Sequence, residues 1–443
     1  MGTNAPTVTM RQGSVRGSSD GTVLAFRGIP YAAPPVGGLR FRPPAAHAGW
    51  SGTWDGSRPG PAVPQGRSRL EAVMGPQEAD WDEGGCLNLN VWTPASALAA
   101  TNPRPVLVWF HGGGFTSGSG GWDWYDCGHL AVAGDIVVVT ANYRLGPLGY
   151  LRRPGIGADN LGCQDQAAVL RWARDNIAAF GGDPAQVTVG GQSAGAYSAL
   201  MLAIDPATRD LVHRVIAQSG PWALDPQPPG AADEAASRYL ALLGIDSDEA
   251  LRQVPAADLV TAYGELAVQL ARPGNIAPPM YPVLGGPGTP LRWQDGLERV
   301  AGTAKQVLIG STEDEMTAFL AMAGSFPEGT EAATEQAFGA GVIQIAAACA
   351  AHGTPALVYR FARVSTADPA LGATHCSDLP FAFDNLDAYT RAPMLGPVGD
   401  SDRALAHSLS GALARFVATG AAGDPDWPAY RPGEDRHVRR FGG

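Results

Sequence analysis

The chain has 443 residues, 45% hydrophobic and 16% charged, which is ample apolar material for a large core. Its net charge is −11, with a single lysine (Lys305) among 31 basic residues and no basic run, a balance that argues against a nucleic-acid partner. No uninterrupted apolar run approaches the roughly 18 residues of a spanning helix, and Met1–Arg11 lacks the charged-then-apolar order of a signal peptide, so no membrane partner is expected.

Residues 7–60 alternate short strand-like runs, Thr7–Met10 and Val23–Phe26, with Gly/Pro punctuation, which predicts an antiparallel edge and loops. Leu87–Trp92 reads as a further strand. Val106–Phe110 and Ile136–Thr140 are continuous apolar runs of the kind buried on both faces of a parallel sheet. Asp165–Phe180 carries Ala168, Leu170, Trp172, Ile177 and Phe180 at helical spacing. Further strands are predicted at Val187–Val189, Val215–Gln218, Val307–Gly310 and Leu357–Phe361. Helices are predicted at Ala231–Leu243, Ala256–Leu270, Thr330–Ala351 and Ala404–Thr419. Pro273–Pro290 reads as a surface connection. Strand and helix in alternation predict a doubly wound α/β sheet.

The chemistry centres on Gly191-Gln192-Ser193-Ala194-Gly195, a G-x-S-x-G turn between a β-branched strand and an alanine-rich helix. That context defines a nucleophile elbow, in which a strained serine stands over the sheet edge. A serine needs a base, and the base an orienting acid. Of the histidines downstream, His213, His352, His375, His407 and His437, the residues favour His375, in a loop after a late strand where an imidazole can reach the sheet edge, without excluding the others. An acid is expected just past a strand end, and Ser311-Thr312-Glu313-Asp314-Glu315 offers three carboxylates that spacing alone does not separate. His111-Gly112-Gly113-Gly114-Phe115 follows the Val106–Phe110 strand. Consecutive glycines there can turn backbone N–H groups toward a developing oxyanion, and neither a P-loop nor a dinucleotide fingerprint competes for this loop.

Taken together these residues resemble the type-B carboxylesterase family, which includes para-nitrobenzyl esterases and cholinesterases. The likeness runs nearly end to end. It includes Phe26-Arg27-Gly28-Ile29-Pro30-Tyr31-Ala32, Cys86-Leu87-Asn88-Leu89-Asn90-Val91-Trp92, the triple-glycine loop, Asn142-Tyr143-Arg144-Leu145-Gly146, the elbow, Asp314-Glu315, and His375 with Leu379-Pro380-Phe381. The resemblance implies an α/β-hydrolase fold in which Ser193, Glu315 and His375 are catalytic and the amides of Gly113, Gly114 and Ala194 form the oxyanion hole. It also implies a buried Arg144–Asp165 ion pair.

Departures from the family are informative. Gln192 replaces a glutamate beside the serine, which weakens any attraction for a cationic substrate. Met316 replaces the glycine after the acid. Val63 stands where a disulfide partner of Cys86 is expected, so the five cysteines are predicted to be reduced, in keeping with a cytoplasmic protein. Gly84 replaces an acid that would pair with Arg40, leaving Glu83 as a substitute. The short interval from Glu315 to His375 predicts a shortened helical cap around 316–355 on one domain spanning 1–443. The expected activity is hydrolysis of a small-molecule carboxylic ester through an acyl-serine, with no metal or organic cofactor. Acyl transfer or amide cleavage by the same triad is an alternative, and a non-catalytic binding protein of the same fold a more remote one.

Overall fold

The computed structural model describes residues 5–272, 275–303, 305–321, 324, 326–434 and 437–443. Its first strands are Thr7–Met10 (β1), Gly13–Arg16 (β2), Ser18–Ser19 (β3), Val23–Pro30 (β4), Thr53–Asp55 (β5), Asn88–Pro94 (β6), Arg104–Phe110 (β7) and Val137–Ala141 (β8). Gly182–Gln192 (β9), Arg214–Gln218 (β10), Gln306–Thr312 (β11), Leu357–Phe361 (β12) and Val438–Phe441 (β13) follow. β1, β2 and β5 make a small separate sheet. The others form a ten-stranded sheet in the order β13-β12-β11-β10-β9-β7-β8-β6-β4-β3. Pairing is parallel from β13 to β8 and antiparallel from β8 to β3. This is the α/β-hydrolase architecture.

Alternation along the strands builds two cores. On β7, Val106, Val108 and Phe110 join one buried cluster and Leu107 and Trp109 the other. The first face is covered by the Leu161–Asn176 and Ala194–Ile204 helices, the second by the Gly128–Gly134 and Asp400–Thr419 helices. Both faces are thus dry, which is why these strands read as unbroken apolar runs. β9 lies between β7 and β10, with Gly191 beside Phe110 and Gln192 beside Gln218 at their carboxyl ends. Sites in open parallel sheets form at such ends.

The predicted elements are present, with boundary shifts that have local causes. The last long helix begins at Asp400, not Ala404, because the Asp402 carboxylate accepts the Gly399 N–H at 2.9 Å and caps the first turn. The helix predicted over Thr330–Ala351 contains a π turn at Glu335–Gly339, which offsets its register. Asp248–Gln253, Trp293–Ala301 and β13 were not predicted; β13 carries two arginines in four residues and reads as polar. The stretch Pro273–Pro290 needs correction as well, residues 273 and 274 lying outside the described residues. Met280 and Val283 within it are buried, and the Asn160 amide donates to Val283 O at 2.8 Å and accepts its N–H at 2.7 Å, so the segment is anchored in the core and is more than a surface connection.

Two ion pairs fix the frame. Arg144 holds Asp165 through Nε at 2.8 Å and Nη2 at 2.7 Å, both side chains almost fully buried. Asp165 also accepts the Arg144 backbone N–H at 3.0 Å, so the carboxylate is satisfied from both directions. Arg40 pairs with Glu83 at 2.6 and 2.5 Å, the substitution anticipated for Gly84. The five cysteines are free and buried.

Candidate active site

Ser193 has φ +56° and ψ −122°, a conformation that a non-glycine residue occupies only under constraint. Its N–H donates to Gln218 O at 2.8 Å, tying the turn to β10. The flanking glycines follow from collision. A Cβ at Gly191 would stand 2.3 Å from the Gly195 carbonyl carbon, and one at Gly195 would stand 2.0 Å from Phe110 O. The helix can therefore approach β7 only with bare backbone at both positions, and that approach lifts the Ser193 hydroxyl above the sheet.

His375 Nε2 lies 2.9 Å from Ser193 Oγ. On its far side Nδ1 meets Glu315 Oε2, while Glu315 Oε1 accepts the Thr312 N–H at 2.8 Å. Glu315 and His375 are fully buried and Ser193 is 7% exposed. Burial alone would push the imidazole pKa down; the Cys376 sulfur and the Glu315 carboxylate more than offset it and hold the ring above its ordinary value. Phe319 and Phe338 pack on the imidazole with ring centroids 5.2 and 5.1 Å away, Phe338 being carried by the π turn.

The three carboxylates after β11 separate by environment. Glu313 faces outward and pairs with Arg440 at 2.9 Å. Asp314 holds the loop that carries His375: its N–H donates to Ala373 O at 2.9 Å and its Oδ2 accepts the Ala373 N–H at 2.8 Å. Only Glu315 reaches the imidazole. The other downstream histidines lie elsewhere. His213 Nδ1 accepts the Val187 N–H at 3.2 Å, His352 bonds Ala348 O, His407 pairs with Asp384, and His437 bonds Ala429 O.

Gly113 and Gly114 have φ +105° and +61°, and a Cβ at Gly113 would stand 2.0 Å from Ser117 O. Their N–H groups meet no protein acceptor among the described residues, and Ala194 opens a helix whose first amides have no partner within it. Gly113, Gly114, Ala194 and Ser193 all border one narrow cavity of about 30 Å³. The arrangement suits attack by an activated hydroxyl on a carbonyl whose oxygen gains charge.

Other groups surround the imidazole, Gln192 among them. The Gln192 amide nitrogen lies 3.2 Å from His375 Nε2 and 3.2 Å from Cys376 Sγ. Asp378, fully buried, accepts the Tyr359 hydroxyl at 2.7 Å; burial raises its carboxyl pKa to about 6. Arg69 lies over Gly114, so that a Cβ on that glycine would stand 2.7 Å from Nη2. Of these groups, the sequence singles out Gln192 alone. Arg69, Phe319 and Phe338 arrive from segments with no motif.

The carboxylesterase family profile matches residues 4–333, which takes in the elbow and Glu315 and stops short of His375. The chain is 36% identical to phenmedipham hydrolase of Pseudarthrobacter oxydans, over 95% of this chain and 92% of that protein. It is 39% identical to the probable N-octanoylanthranilate hydrolase AqdA2 of Rhodococcus erythropolis, over 96% of each. A solved PNB esterase superposes with a TM-score of 0.86 at 31% identity, covering 96% of this chain and 94% of that one.

Proposed function

The chain belongs to the carboxylesterase family and is a serine hydrolase acting on carboxylic esters; on that premise we propose that Ser193, His375 and Glu315 are its catalytic triad and that the amides of Gly113, Gly114 and Ala194 form its oxyanion hole. The observation that carries this reading is the Ser193 Oγ–His375 Nε2 contact of 2.9 Å on a serine held at positive φ, with Glu315 on the opposite ring nitrogen. His375 Nε2 takes the hydroxyl proton as Oγ bonds to the ester carbon. The carbonyl oxygen becomes an oxyanion held by the three amides. As it collapses, the ester C–O bond breaks and His375 returns the proton to the leaving alcohol. A water then repeats the sequence on the acyl-serine and releases the acid. Glu315 keeps the Nδ1–H tautomer in place and stabilises the imidazolium.

The segment 316–355 is proposed to be the shortened cap of one catalytic domain spanning 1–443, since it brings Phe319 and Phe338 over the imidazole. No helix among the described residues is long and apolar enough to cross a membrane. The proposed location is the cytoplasm, supported by five unpaired cysteines. The test of the site is a fluorophosphonate probe with peptide mapping, alongside hydrolysis of 4-nitrophenyl butyrate. Label is expected on the Ser193 peptide alone, and Ser193→Ala is expected to lose both label and turnover. Undiminished labelling of Ser193→Ala would overturn the assignment.

A further inference from the structure

A second, larger cavity of about 570 Å³ adjoins the narrow one over Ser193, and Arg69 and Pro278 line both. Its walls mix aliphatic residues such as Val260, Ala267 and Leu270 with polar ones such as Tyr263, Gln227 and Arg272. No aspartate or glutamate lines either cavity.

Arg69 is the unusual member. It stands beside the oxyanion loop, yet among the described residues no carboxylate lies within ion-pair distance of it. Its neighbour Arg67 is, by contrast, neutralised by Glu71 at 2.6 Å. Of the five N–H donors on a guanidinium, Arg69 uses one, from Nη1 to Ile276 O at 2.9 Å. Nη2 stands over Gly114, and the side chain lines both cavities. A purely structural arginine would engage more of its fork.

One further group in the larger cavity has hydrogen-bonding capacity to spare. Tyr263 is nine-tenths buried, and its hydroxyl, beside the Met280 backbone N–H, donates to no acceptor among the described residues. That proton is available to a polar occupant of the cavity. The charge of the surroundings sharpens the point. A molecule of net charge −11 repels anions at long range. Gln192 beside His375 is neutral, and Arg69 places a positive charge beside the oxyanion loop.

We infer that the preferred ester carries a carboxylate on the part that extends past Gly114, held by the Arg69 guanidinium with the Tyr263 hydroxyl as a further donor. A planar fork matches a carboxylate in bidentate fashion, and the aliphatic wall takes the chain that connects it to the ester. Arg69 is thus a specificity-determining residue. The inference rests on Ser193 being the nucleophile, and adds the charge of its substrate.

Two matched substrate pairs test it. On the acyl side these are mono(4-nitrophenyl) adipate against 4-nitrophenyl hexanoate. On the alcohol side they are 4-(hexanoyloxy)benzoate against its methyl ester. For each pair the ratio of kcat/KM, anionic over neutral, is measured in the wild type, Arg69→Gln, Arg69→Lys and Arg69→Glu. Arg238→Gln, a surface change remote from both cavities, serves as control. In at least one pair the wild-type ratio is expected to exceed unity and to fall about tenfold to a hundredfold in Arg69→Gln, the range of a charge-assisted hydrogen bond. Arg69→Lys should recover part of it, Arg69→Glu should invert the preference, and Arg238→Gln should leave the ratio as in the wild type. Added salt should compress the wild-type ratio. Wild-type ratios below unity in both pairs, or an equal loss on anionic and neutral esters in Arg69→Gln, would overturn the inference. Failure of the underlying site is separately visible, because Ser193→Ala would then retain turnover of the neutral esters.

Discussion

Replacing Glu315 by glutamine isolates the work of one buried carboxylate. Glu315 accepts two hydrogen bonds, one from Thr312 N–H and one from the His375 ring, and has no solvent contact. A glutamine amide has one oxygen and one nitrogen, so it cannot accept both. If its oxygen faces Thr312, its NH2 faces Nδ1 and enforces the tautomer with a proton on Nε2, which cannot receive the serine proton. If its oxygen faces the ring, the NH2 opposes the Thr312 N–H, at about 1–3 kcal/mol for an unsatisfied buried donor. In both orientations the charge opposite the developing imidazolium is lost. The protease precedent for such a change is a loss on the order of 10⁴ in kcat, or about 5.4 kcal/mol of barrier. Asp314→Ala removes the acceptor for Ala373 N–H and loosens the loop before His375; a charge-assisted hydrogen bond of about 1.5–3 kcal/mol sets its upper limit near a hundredfold. Glu313→Gln loses only a pair at the surface with Arg440, worth about 0–1 kcal/mol. The assay is steady-state kinetics on one aryl ester, with circular dichroism confirming the fold. A dead Glu313→Gln beside an active Glu315→Gln would refute the reasoning.

Gly195→Ala places a Cβ 2.0 Å from Phe110 O, so it is expected to yield little folded protein, judged by soluble yield and circular dichroism. Asp165→Asn leaves Arg144 buried beside a neutral amide, with an expected loss of about 3–5 kcal/mol in urea unfolding. Gln192→Glu sets a carboxylate against His375 Nε2 and favours the imidazolium; since the base must be neutral, the acid limb of the pH profile of kcat/KM should move to higher pH. Asp378 has its pKa raised by burial from 3.8 to about 6, so the proton it holds contributes stability that is fully present below 3.8 and lost as pH rises through about 6. Asp378→Asn should accordingly gain stability on the wild type by roughly 3 kcal/mol at most between pH 4 and pH 8, measured by unfolding at each pH.

The strands that carry the site were legible because each is buried on both faces. Val106–Phe110 and Ile136–Thr140 read as apolar runs for that reason, and parallel pairing leaves few alternatives for such runs. β13 was not legible because it pairs at the sheet edge with β12 alone, where arginines at 439 and 440 are tolerated. The Glu335–Gly339 π turn, which carries Phe338 onto the imidazole, was equally hidden, since its sequence is ordinary for a helix.

The contrast between the elbow and Arg69 has one physical origin. At the elbow the constraint lies between backbone atoms a few residues apart or on neighbouring strands, so it selects glycine at 191 and 195 and leaves a trace in the sequence. The acid was legible only as one of three because Glu313, Asp314 and Glu315 differ in direction, and direction is fixed by the Asp314–Thr374 bridge to a segment sixty residues away. Arg69 has no local constraint at all. It comes to Gly114 through the packing of the segment before Glu71 against Ile276, and any arginine on an exposed loop has the same local sequence signature. Catalytic groups that depend on backbone strain are therefore readable from sequence, whereas groups that recognise the rest of the substrate sit on tips of unrelated segments and become visible only when those segments meet. That division places the reaction class within reach of the motifs and leaves the charge of the substrate to the cleft.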